Sequence, residues 1–145
     1  MTLVLFESGR PVLMVPAPSP AFLGQRIVIA WNGGGETATA IAHAMPLLRR
    51  ANEVRVISVG TGLIPGAPPG EALTRNLVWH GIRATAHHID TKAAAGGVWL
   101  EECDAARADL LVKGAYTTSH LRQVIFGGPT RQILTQAELP VLLAH

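Results

Sequence analysis

Leu110-Leu111-Val112-Lys113-Gly114-Ala115-Tyr116-Thr117-Thr118-Ser119-His120-Leu121-Arg122-Gln123-Val124-Ile125-Phe126-Gly127-Gly128-Pro129-Thr130-Arg131 reads as a buried strand, a polar loop, a short amphipathic turn and a Gly-Gly-Pro-Thr entry into a last helix. An apolar strand ending in glycine, followed by backbone amides gathered at a helix N-terminus, is how an α/β sheet offers donors to a phosphate. Pro129 suits the first helical position, where a missing N–H does the helix no harm. Arg122 and Arg131 can add charge-assisted bonds to phosphate oxygens. This is a binding geometry and not yet a reaction.

Working outward, apolar strands alternate with helical patterns on both sides of this stretch. Arg26-Ile27-Val28-Ile29-Ala30-Trp31 is apolar after its first residue, as expected of a central parallel strand covered on both faces. Gly33-Gly34-Gly35 turns into a helix whose Ala38, Ile41, Ala42, Met45 and Leu48 recur at helical spacing, with Pro46 expected to kink it near its end. Residues 53–59 form a second strand and residues 60–70, rich in Gly and Pro, a surface loop. Residues 71–80 read as a helix stopped by Gly81. Residues 82–89 read as a third strand at a sheet edge. A third helix over 91–107 is weakened at Gly96-Gly97 and is expected from Val98 onward. After the opening stretch comes a helix over 129–137 with Ile133 and Leu134 facing the sheet, and Pro140 starts a fifth strand. Such regular alternation calls for right-handed crossovers and a parallel sheet, with any ligand at the carboxyl ends of the central strands.

Residues 1–25 stand apart as an N-terminal strand and a Pro-rich tether. Pro11-Val12-Leu13-Met14-Val15 matches Pro140-Val141-Leu142-Leu143-Ala144 in pattern, so the chain carries the same edge strand at both ends. The two are expected to lie side by side, within one chain or across a pair of chains.

With 145 residues and 48% apolar content, the remainder is one domain with a sizeable core. A formal charge of +2 with scattered Lys and Arg offers no nucleic-acid footprint. Cys103, the only cysteine, rules out internal disulfides and cysteine-cluster metal sites and fits a reducing, cytoplasmic setting. Glu7 and Arg10 interrupt the apolar start, leaving no signal-peptide core and no stretch near the roughly 20 apolar residues a membrane span needs. His87 and His88, adjacent in a strand, point to opposite faces and cannot easily share a metal. Trp31, Trp79 and Trp99 read as core or interface anchors, and Cys103 as a packed small apolar group. There is no Gly-x-Ser-x-Gly elbow and no paired carboxylates, so the sequence does not support catalysis. Gly33-Gly34-Gly35 has the spacing of neither a dinucleotide fingerprint nor a P-loop. Asn32, at the carboxyl end of the central strand, is better placed than these glycines to touch a ligand.

On these residues, positions 26–145 resemble the universal stress proteins. The resemblance implies a three-layer α/β/α sandwich of the adenine nucleotide alpha hydrolase-like type, with a five-stranded parallel sheet of order 3-2-1-4-5 plus the extra N-terminal edge strand. Nucleotide-binding members carry G-x2-G-x9-G-[S/T] after the fourth strand. Gly114 fills the first glycine and Gly127 the third; Thr117 stands in the second place, and Gly128 stands where Ser or Thr is usual. The first strand often ends in Asp, here Asn32. The implied nucleotide contacts are Asn32, Gly114, Thr117, Arg122, Gly127, Gly128 and Thr130, with ATP and magnesium as the cofactor. Residues 7–16 are similar to the final strand of a preceding domain in a tandem member. Because fifth strands commonly pair in the family, a homodimer through residues 12–15 and 141–144 is expected. The function implied is a non-enzymatic stress-response module that binds ATP or a related nucleotide and acts by dimerisation or partner binding. The alternatives are a nucleotide-free interaction module and a weak ATP hydrolase.

Overall fold

The computed structural model describes residues 8–115 and 128–145. Its strands are β1 (Val12–Met14), β2 (Arg26–Trp31), β3 (Glu53–Val59), β4 (Ala84–Ile89), β5 (Leu110–Gly114) and β6 (Val141–Ala144). The helices are α1 (Gly35–Leu48), α2 (Glu71–Trp79), α3 (Ala95–Ala106) and α4 (Pro129–Gln136). One sheet runs β1-β6-β5-β2-β3-β4. The pairs from β4 through β6 are parallel and β1 alone is antiparallel. Counted from β2, this is the expected 3-2-1-4-5 sheet with one strand added at its edge.

The strand sequences account for the layering. In β2, Ile27 and Ile29 join Leu110 and Val112 of β5 in a core under α1, while Val28 and Ala30 join Leu111 in a second core on the other face. Alternation along a strand sends successive side chains to opposite faces, so only a strand apolar throughout can feed both cores. Trp99 anchors the second core at 1% exposure, its indole N–H donating to the Ile57 carbonyl at 3.0 Å. The start of β2 is pinned by Asp109, whose carboxylate accepts the amides of Gly24, Gln25 and Arg26 at 3.0, 2.9 and 3.1 Å.

Several local expectations are revised. Helix α3 begins at Ala95, before Val98, and contains Gly96 and Gly97 because α4 crosses there. A Cβ on Gly96 would lie 2.7 Å from Gln132 Oε1 and 3.0 Å from the Pro129 carbonyl. The missing side chains that weaken the helix in isolation are what allow the two helices to touch. Helix α1 runs through Pro46 to Leu48 as expected, whereas β4 begins at Ala84, two residues after the expected start. Gly81, at φ +78°, ends α2 as expected. Trp79 is 87% exposed and is no core anchor.

The largest revision concerns the edge. Strand β6 lies between β5 and β1, so residues 141–144 are an interior strand and offer no free edge to a second copy. Within one chain Val12 faces Leu143, Leu13 faces Leu142, and Met14 faces Val141. Aligning Pro11 with Pro140 makes Leu13 the counterpart of Leu142, and these two residues oppose each other. The pairing is therefore symmetric about that pair, as a two-fold axis between two copies of β6 would make it.

Candidate functional site

Helix α1 leaves β2 toward one face of the sheet, whereas α4 leads from β5 to β6 on the other. Strands β2 and β5 are neighbours, with Ala30 opposite Lys113. Their carboxyl ends thus flank the point where the chain reverses its direction of winding, which is where open α/β sheets bind ligands.

Asn32 follows β2 and is buried. Its Oδ1 accepts the Gly34 amide at 2.9 Å and the Thr37 hydroxyl at 2.6 Å. The side chain thereby closes the first turn of α1, a local side-chain-to-backbone bond of the kind asparagine forms readily. The loop after β3 returns over the same end: the Ile64 amide donates to the Asn32 carbonyl at 2.9 Å, and Trp31 Nε1 to the Pro68 carbonyl at 3.2 Å.

Gly114 ends β5 against the same turn. A Cβ there would lie 2.7 Å from both the Thr37 hydroxyl oxygen and the Glu36 carbonyl carbon. Gly114 is required by the close approach of α1, so Asn32 and Gly114 meet through Thr37. On the opposite face Lys113, 5% exposed, donates to the Gly114 carbonyl at 2.9 Å and to the Thr130 hydroxyl at 2.8 Å. Its ammonium lies 5.6 Å from the centre of the Trp99 ring, within cation–π range. Gly128, at φ +104°, caps α4, and Pro129 takes the first-turn position expected for it. Beside this helix start opens a cleft of about 500 Å³ lined by Thr61, Ala95, Gly128, Arg131, Gln132 and Thr135, among others.

Of the seven expected contacts, Asn32, Gly114 and Thr130 fall into one connected cluster, with Gly128 at the adjoining helix start. Thr117, Arg122 and Gly127 lie outside the described residues. Lys113 is not among the seven expected contacts. The signal was present: a lysine in an otherwise apolar strand, within a stretch from Leu110 to Ala137 that contains no Asp or Glu. Burial pushes the Lys113 ammonium down to about 8, and the charge of Glu36 opposes that shift. Cys103 is a buried free thiol pushed up to about 12, first by burial and then by Asp104 and Glu102. It is protonated and inert at neutral pH. The Ser58 hydroxyl is 2.8 Å from His88 Nδ1, a bond between β3 and β4.

No protein-family model matches the chain, and no curated protein matches it in sequence. Solved structures do match. A universal stress protein from Archaeoglobus fulgidus DSM 4304 superimposes with a TM-score of 0.75 at 15% identity, over 94% of this chain and 50% of that one. This chain thus spans half the length of that relative. A universal stress protein in complex with cAMP matches at TM-score 0.61 and 22% identity, over 83% of this chain and 96% of that one. The universal stress protein from Archaeoglobus fulgidus in complex with dAMP matches at TM-score 0.59 and 15% identity, over 87% and 100%. The fold is therefore that of the universal stress proteins. Among the described residues, no helix is long and apolar enough to cross a membrane.

Proposed function

We propose that this chain is a universal stress protein-like module that binds an adenine nucleotide across the carboxyl ends of β2 and β5 and acts by binding rather than by turnover. The observation that carries this reading is the convergence of Asn32, Thr37, Gly114 and Thr130 at the reversal point of the sheet, beside the N-terminus of α4. Relatives of the same fold in complex with cAMP and dAMP support an adenine nucleotide as the ligand class. Asn32, where family members often carry an acid, leaves one negative charge fewer at the site. The described residues there supply no carboxylate pair to hold a magnesium ion, which supports binding over hydrolysis.

The match to a protein of twice the length supports a tandem origin. It extends over 94% of this chain, against 83% and 87% for the single-length relatives in complex with cAMP and dAMP. In this reading β1 stands where the last strand of a preceding domain would lie.

The test is calorimetric titration of the purified chain with ATP, ADP, AMP and cAMP, after extraction of any carried-over nucleotide. A dissociation constant in the micromolar range for at least one of them is expected. Absence of heat at millimolar concentrations of all four would sink the reading. It would leave a nucleotide-free interaction module, which the inward-turned Oδ1 of Asn32 and the loop closed over β2 favour.

A further inference from the structure

Lys113 is a buried cation that no carboxylate among the described residues touches; the nearest opposing influence is the charge of Glu36, which acts without a salt bridge. Its two hydrogen-bond acceptors, the Gly114 carbonyl and the Thr130 hydroxyl, are neutral. Among the described residues no carboxylate lies within salt-bridge distance of it; the ion pair formed there joins Arg55 to Glu53. The undescribed residues 116–127 contain no Asp or Glu at all. Two neutral oxygens and the Trp99 ring compensate only part of the hydration that a buried ammonium loses.

The donors at this spot are also in excess. An ammonium has three N–H groups, and two are used. The Thr130 hydroxyl, buried in the first turn of α4, accepts from Lys113 and keeps its own proton to donate, with no acceptor for it among the described residues. The amide end of α4 adds partial positive charge from the same side. A buried lysine, a threonine hydroxyl with a spare proton and a helix N-terminus together offer donors to an anion with several acceptor oxygens.

We propose that Lys113 is the resident cation of a phosphoryl-binding site completed by Thr130 and the start of α4, and that it fills the charge-neutralising role otherwise taken by a divalent metal. The site then takes phosphate monoesters and nucleotide phosphates independently of magnesium. Lys113 donates to the Thr130 hydroxyl, so it acts on the phosphoryl group both through that hydroxyl, which its bond polarises, and by its field. Burial leaves the ammonium still charged at neutral pH, and a bound dianion would hold the proton more firmly. This inference deepens the nucleotide reading above and rests on the same site.

The experiment compares wild type, Lys113→Met and Thr130→Val by calorimetry with ATP, adenosine and inorganic phosphate, each in EDTA and in magnesium, with folding checked by circular dichroism. Wild type should bind ATP with the same affinity in both buffers to within about twofold. Each variant should lose roughly tenfold or more for ATP, the worth of a charge-assisted bond, and keep its affinity for adenosine. Thr130→Val carries the test should Lys113→Met not fold. ATP binding that needs magnesium, or that folded variants leave unchanged, would overturn the inference while leaving the nucleotide reading intact. Phosphate binding lost in the variants without any adenosine binding would uphold the anion site and sink the nucleotide reading. No binding of any of the three ligands would overturn both.

Discussion

Asp109 shows how much one side chain can do in this fold. Its carboxylate takes three successive amides at the entry to β2. Asp109→Ala should lower the unfolding free energy by about 1–3 kcal/mol in urea denaturation, with Asp109→Asn recovering part of the loss. An Asp109→Ala variant as stable as wild type would mean that water replaces the carboxylate without penalty. Lys113 works against stability at neutral pH. Burial depresses its folded value to about 8 from 10.5, so between these the unfolded chain binds more protons and stability rises with pH. Below about pH 8 the full penalty is present, on the order of 3 kcal/mol. Cys103 has the opposite sign above pH 9, because its folded value of about 12 lies above 9.0. The clean window is therefore pH 8 to 9, and the difference from Lys113→Met removes the thiol's contribution. Wild type should gain stability relative to Lys113→Met across pH 8 to 10.5 in thermal melts. Parallel curves would show that the ammonium is solvated or paired.

At the scale of elements, β1 is the informative one. A bare β6 would present an unpaired ladder at the end of the sheet, the kind of edge that recruits another chain. Strand β1 covers it with a sequence near enough to β6 that the pairing is symmetric about Leu13 and Leu142. Removing residues 1–20 should free β6 to pair antiparallel with the β6 of a second molecule. The mass measured by light scattering should then double relative to the full chain. A truncated chain that stays soluble at the full chain's association state would show that β1 is not what keeps that edge closed. Helices α3 and α4 make a complementary point. Gly96 and Gly97 look like a flaw in a helix when read along the chain, yet they form the contact surface for Gln132.

Across the whole molecule, the alternation of apolar strands with helical patterns, the Gly and Pro at their boundaries and the repeated Pro-Val-Leu strand were sufficient to specify the elements and a parallel sheet, while the strand order and the layering came from the resemblance to the universal stress proteins. That information is local: periodicities of two and 3.6 residues and turn residues survive in a linear string. The same reading located Asn32, Gly114, Gly128 and Thr130 at the end of the sheet where ligands bind. The tertiary structure alone decided that Asn32 turns its oxygen inward onto Thr37. It alone placed β1 on β6 in the same chain, left Trp79 in the open and joined Lys113 to Thr130. Each of these depends on which side chain another element brings to the same place. Between residues 32 and 37, 13 and 142, or 113 and 130, that proximity is created by folding and has no signature in local spacing.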